Sequence, residues 1–181
     1  MKRSSFWSVV LMGLALLLVP ASPVAAAPYC GLVWGSLEKS STRATSTAPL
    51  FDVRTGRHAC YDRLVLDIAG PTGSYTATYV PEVIADGSGA VIPTRGGASI
   101  QVTVKNPAYD LAGNPTYLPA NENELRNVAG YSTFRQVVWA GSFEGYSSVG
   151  LGVRARLPFR VFVLDGPGAG SRLVVDVAHR W

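Results

Sequence analysis

From residue 56 onward, apolar and polar residues alternate with a period of two, and Gly, Pro, Asn and Asp cut the alternation into short lengths. Leu64, Leu66 and Ile68 alternate with Arg63, Val65 and Asp67 before Gly70-Pro71 stops the run. Tyr75, Ala77 and Tyr79 alternate with Thr76 and Thr78 up to Pro81, and Ile100, Val102 and Val104 with Gln101 and Thr103 up to Asn106-Pro107. A longer β-rich run covers Phe134 to Ser142, broken at Gly141 and Gly145. Leu151, Val153 and Ala155 alternate with Arg154 and Arg156, and Pro158 marks an edge, a bend or a change of register. Phe159 to Leu164 ends in the turn Asp165-Gly166-Pro167-Gly168, and Leu173, Val175 and Val177 close the pattern. Residues 121–127 offer a helical turn at most. About seven to nine short strands with Gly-rich turns predict an all-β chain, an antiparallel β-sandwich or barrel.

The first residues follow a different logic. Lys2 and Arg3 precede an apolar run from Phe6 to Val19, then Pro20 and Pro23, then the small residues Val24 to Ala27. That order is the signature of a secretory signal peptide, here residues 1–26. The apolar run is shorter than the ~20 residues that span a bilayer, so no membrane span is expected in the mature chain. Pro28 and Tyr29 replace the small residues that lipid attachment at Cys30 would require. The segment carries two basic residues and no acid, hence half of the net charge of +4. The remaining charge is scattered, which gives no footprint for nucleic acid.

The cysteines are Cys30 and Cys60. In an exported chain a single pair predicts a disulfide, and closing a loop of this length stabilises the fold by roughly 3.5 kcal/mol in the chain-entropy model. Lys39 to Pro49 is rich in Ser, Thr and Ala and reads as a loose connection. The chain therefore divides into the signal peptide, an N-terminal arm and Ser/Thr-rich linker over 27–55, and a sandwich domain over 56–181. The loop from Ala108 to Gly130 is long, and long loops on β scaffolds often carry function.

Arg63-Leu64-Val65-Leu66-Asp67-Ile68-Ala69 returns as Arg172-Leu173-Val174-Val175-Asp176-Val177-Ala178, with five of seven residues identical. Two buried strands sharing common strand residues is one explanation. The other is register: Arg and Asp four apart on a strand share a face but lie ~13 Å apart, so they cannot pair within it. If the copies are antiparallel neighbours, Arg63 stands opposite Asp176 and Arg172 opposite Asp67, and such pairs contribute a few tenths to about 1 kcal/mol each.

Little catalytic chemistry is legible. His58 and His179 belong to no metal-ligand spacing, and the two cysteines are committed, so neither metal nor cofactor is expected. Gly141-Ser142-Phe143-Glu144-Gly145 misses the frame of a strained nucleophile turn. Glu122 and Glu124 resemble a glycosidase pair only in type, and Gly166-Pro167-Gly168-Ala169-Gly170 links strands rather than opening a phosphate-binding helix. The candidate recognition residues are Trp139, Phe143 and Tyr146, with Arg135 and Glu144 beside them, since flat aromatic faces flanked by polar groups suit sugars and interfaces. On a strand Trp139 and Phe143 share a face, which favours the core over recognition. Tyr109 and Tyr117 form a second candidate patch, and Arg154 and Arg156 share a strand face that suits an anionic polymer.

The stretches Cys30-Gly31 through Trp34-Gly35-Ser36, Gly56-Arg57-His58-Ala59-Cys60-Tyr61-Asp62-Arg63-Leu64, Arg135-Gln136-Val137-Val138-Trp139-Ala140-Gly141, Gly152-Val153-Arg154-Ala155-Arg156-Leu157-Pro158-Phe159-Arg160-Val161 and Ser171 to Trp181 resemble the AMIN-like domain of exported proteins in high-GC Gram-positive bacteria. The resemblance implies a β-sandwich related to the AMIN modules that bind peptidoglycan or other envelope polymers, and it carries no active-site residues. The expectation is an exported, non-enzymatic module that binds a cell-wall polymer or an envelope protein. A secreted wall hydrolase and a secreted interaction or inhibitor domain are the alternatives.

Overall fold

Eleven strands run through the described residues, 29–181, of this computed structural model. The expected signal peptide lies outside the described residues. In chain order the strands are β1 (Lys39–Ser41), β2 (Leu50–Arg57), β3 (Tyr61–Ile68), β4 (Tyr75–Val80), β5 (Val83–Ile84), β6 (Val91–Ile92), β7 (Ala98–Val104), β8 (Phe134–Phe143), β9 (Tyr146–Val153), β10 (Phe159–Asp165) and β11 (Ser171–Ala178). The count exceeds the expected seven to nine because β1, β5 and β6 are two or three residues long, too short to show alternation. Residues 121–127 form bends and turns rather than a helix.

The strands form an antiparallel sandwich. One sheet has five strands in the order β1-β4-β7-β9-β8, and the other four in the order β10-β11-β3-β2. Alternation explains which side chains meet between them. Leu64, Leu66 and Ile68 of β3 and Leu173, Val175 and Val177 of β11 pack against Ile100, Val102 and Val104 of β7 and Val149, Leu151 and Val153 of β9. Each such side chain contributes about 1.5–3 kcal/mol on burial. Pro158 sits where the chain leaves the five-stranded sheet to enter the four-stranded one.

The β5–β6 ribbon lies on the outer side of the five-stranded sheet, where Val83, Val138 and Ala140 make a small second core. Gly150 and Gly152 permit this close approach. A Cβ on Gly150 would meet Val83 Cγ1 at 2.7 Å, and one on Gly152 would meet the Arg95 carbonyl oxygen at 2.0 Å.

The N-terminal boundary differs from the sequence expectation. Residues 39–49, read as a loose connection, contain β1, and β2 begins at Leu50, so the sandwich starts before residue 56. A register shift between Leu50 and Asp52 hid β2, because it leaves Leu50 and Val53 buried together out of alternation. The arm before β1 is bound at three places. Cys30 and Cys60 form a disulfide, the Phe159 N–H donates to the Gly35 carbonyl (2.9 Å), and β1 pairs with β4. The arm thus crosses from the edge of one sheet to the edge of the other. Among the described residues no helix is long and apolar enough to cross a membrane.

Candidate functional site

The five candidate recognition residues do not form one cluster. A register shift between Trp139 and Gly141 adds an extra residue to β8 and inverts its faces, so Trp139 and Phe143 do not share a side. Trp139 is 9% exposed and packs edge-on against Tyr117 at 5.1 Å, which puts both in the core. Phe143 is 52% exposed and lies over Gly87. Glu144 and Gly145 take positive φ angles (50° and 84°) as the two-residue turn joining β8 to β9. Tyr146 follows with Lys105 over its ring at 5.5 Å. Arg135 lies at the far end of the same strand, donating to the Phe134 and Tyr131 carbonyls at 2.8 and 3.1 Å. Tyr109, Lys105, Leu111 and Glu144 instead border a shallow hollow of about 340 Å³.

The repeated segments lie side by side. β3 and β11 are antiparallel neighbours, with Arg63 opposite Asp176 and Arg172 opposite Asp67. The side chains use these positions unequally. Arg63 reaches Asp176 through Nε (2.6 Å) and Nη2 (2.9 Å). Arg172 does not pair with Asp67, because Arg54 of β2 holds that carboxylate from the other side at 2.5 and 2.7 Å. Arg172 Nη2 donates instead to the Asp165 carbonyl (3.0 Å), and its Nε is buried without a partner.

The residues that do converge lie on the outer face of the four-stranded sheet. Asp176, fully buried, also accepts bonds from Arg160 Nε (2.9 Å) and Nη2 (2.7 Å), so one carboxylate clamps two guanidiniums. Aromatic rings enclose them. Arg63 lies 5.2 Å from the Tyr61 ring centre and 5.5 Å from that of Phe162. Arg160 lies 5.4 Å from Trp34, 5.4 Å from Tyr61 and 4.8 Å from Phe162. The hydrogen bond to Asp176 raises the Arg63 pKa further above its usual value. Trp34 arrives on the N-terminal arm, held by its indole N–H on the Tyr29 carbonyl (2.8 Å) and by the nearby disulfide. Arg160 is absent from the candidate recognition residues of the sequence, yet the β10–β11 hairpin places it opposite Asp176, a position that counting back from the Asp165-Gly166-Pro167-Gly168 turn gives.

Asp62, also fully buried, lies on the opposite, inner side of β3 and ties that strand to the start of β8 in the facing sheet. It accepts the backbone N–H groups of Thr133 (2.5 Å) and Phe134 (3.1 Å), and its other oxygen lies 3.2 Å from His179 Nε2. His58 stacks on Tyr61 at 4.6 Å. Among the described residues no group of three or more His, Cys, Asp or Glu side chains is placed to hold a metal ion.

Two further concavities lie elsewhere on the described residues. A cleft of about 730 Å³ is lined by Tyr79, Glu82, Thr94, Ser99 and Arg156 among others. Within it the Tyr79 hydroxyl donates to the Leu157 carbonyl and accepts the Leu157 N–H, while Thr94 and Ser99 bond each other. A smaller hollow holds Asp86, Glu122 and the edge of Trp139. Burial pushes the Asp86 carboxyl above its usual pKa, partly offset by the Ser148 hydroxyl bonded to it.

No curated protein and no solved structure matches the chain. The AMIN-like domain family model matches residues 48–179, from the residues leading into β2 to the end of β11. This span contains Tyr61, Arg63, Arg160, Phe162 and Asp176, so the chain belongs to the AMIN-like domain family.

Proposed function

We propose that this protein is an exported, non-enzymatic module that binds a cell-envelope polymer, peptidoglycan or a similar wall polymer, through the arginine–aromatic face of its four-stranded sheet. Membership of the AMIN-like family and the Cys30–Cys60 disulfide both fit an extracytoplasmic location. The first 26 residues serve as the signal that takes the chain there.

The observation that carries the reading is the Trp34–Arg160–Phe162–Arg63 tier. Flat rings and forked donors are fixed on a rigid sheet by a carboxylate that is itself inaccessible to ligand. A sugar or peptide lying across such a face finds apolar surface and hydrogen-bond donors without ordering them on binding.

Co-sedimentation of the purified protein with isolated peptidoglycan sacculi tests the proposal. Retention at moderate salt, with no soluble fragments released from the sacculi, is the expected result. A protein left wholly in the supernatant overturns peptidoglycan binding, and steady release of fragments favours the wall-hydrolase alternative.

A further inference from the structure

Charge accounting around Asp176 points to the chemistry of the ligand. Arg63 and Arg160 bring two positive charges to this point, and Asp176 supplies one negative charge. Asp67, four residues along β3 from Arg63, is held by Arg54. Among the described residues no other carboxylate lies within ion-pair distance of Arg63 or Arg160. Around Asp176, one positive charge therefore remains unneutralised beside the aromatic rings.

The donors are also incompletely spent. Asp176 engages Nε and Nη2 of Arg160, and Nε and Nη2 of Arg63, whose Nη2 also reaches the Tyr61 hydroxyl at 3.3 Å. Nη1 of neither guanidinium has a partner among the described residues, and neither is buried: the two side chains are 21% and 27% exposed. The rings of Trp34, Tyr61 and Phe162 hold the guanidinium planes in place and limit the water around them. Low local hydration strengthens an ion contact made there.

We infer that the Nη1 groups of Arg63 and Arg160 form an oxyanion site that takes a carboxylate or phosphate group carried by the bound polymer. This deepens the polymer-binding reading and rests on the same face. The buried Asp176 holds both forks in place, and the ligand's anionic group supplies the missing negative charge. Guanidinium geometry suits both carboxylate and phosphate oxygens, and the incoming group bonds without displacing Asp176.

The test uses poly-glutamate as the carboxylate probe, polyphosphate as the phosphate probe and dextran as the neutral one. Titration of the full protein is expected to give salt-sensitive binding to one or both polyanions and none to dextran. The probe that binds more tightly identifies the anion. Arg160→Gln removes the surplus charge yet leaves Asp176 paired with Arg63, and it should weaken polyanion binding about tenfold. Arg43→Gln removes the same charge from an exposed side chain elsewhere and should change binding less than about twofold. In the unaltered protein the Arg160 Nε–H resonance should shift as polyanion is added, a readout independent of how any variant folds.

Equal losses in Arg160→Gln and Arg43→Gln, or an unmoved Arg160 resonance, overturn the oxyanion site. If sacculi retain the protein while neither polyanion binds, the oxyanion site falls and polymer binding stands. If polyanions bind at Arg160 while sacculi do not retain the protein, the oxyanion site stands and the peptidoglycan reading falls.

Discussion

Arg63 and Asp176, separated by 113 residues in sequence, face each other across β3 and β11 and are joined by two hydrogen bonds of 2.6 and 2.9 Å. Because Asp176 also holds Arg160, removing its carboxylate strands two partly buried guanidiniums at once. Breaking a buried ion pair from one side costs about 3–5 kcal/mol. Asp176→Ala is expected to destabilise the protein by that amount in denaturant unfolding. A loss below about 1 kcal/mol would show that the clamp contributes little to stability.

Asp86 carries a pH signature. Burial raises its pKa in the folded protein, so the folded state holds its proton more tightly than the unfolded state does. Stability from this group is therefore greatest in acid and declines as pH rises through the ordinary carboxyl range to the raised folded value. Asp86→Asn should melt at least as high as the unaltered protein at pH 7, with the difference shrinking below about pH 4. Thermal scans across pH check this. A variant that melts lower at pH 7 would contradict it.

The disulfide ties the arm that brings Trp34 to Arg160. Replacing Cys30 and Cys60 together by Ser is expected to cost about 2–4 kcal/mol. It should also open the segment before β1 to proteases first. Mass spectrometry of early cleavage products locates the cuts, and initial cuts elsewhere would argue that the arm is held without the bridge.

Gly152 has no room for a side chain. A Cβ there would lie 2.0 Å from the Arg95 carbonyl oxygen, a backbone atom that cannot swing aside. Gly152→Ala should cost about 1–3 kcal/mol. Backbone amide shifts in its NMR spectrum should cluster near residues 93–97, and a spectrum unchanged there would place the strain elsewhere.

Trp139 and Phe143 should separate sharply. Trp139→Ala empties core space and is expected to cost about 3–5 kcal/mol. Phe143→Ala, at the exposed turn, should cost under about 1 kcal/mol. Comparable losses would mean that the inversion of β8 does not hold in solution.

Strand-level alternation made the all-β class legible because core residues on a pleated sheet recur at every second position, and the family resemblance supplied the sandwich. The echo in β3 and β11 offered a register only on the condition that the two strands were neighbours, and of its two charge pairs only Arg63–Asp176 forms. What stayed hidden depended on single inserted residues and on distant neighbours. One extra residue in β8 turned Phe143 away from Trp139, and a similar irregularity concealed β2. Asp67 took Arg54 rather than Arg172 because β2 flanks β3 on its other side, a neighbour the sequence does not announce. The arginine–aromatic face draws on the arm, β3, β10 and β11, so no local motif contains it.

The pairing of β3 with β11 also sets an order of events. β3 is the third of the described strands to be made and its partner β11 the eleventh, with β10 and β11 arriving only after the whole five-stranded sheet has been synthesised. Until Ser171–Ala178 emerges, one edge of β3 has no strand paired to it, and Asp176 is absent from the point where Arg63 waits. Closure of the domain is therefore a long-range step, and the sandwich stays unlocked until β11 is in place.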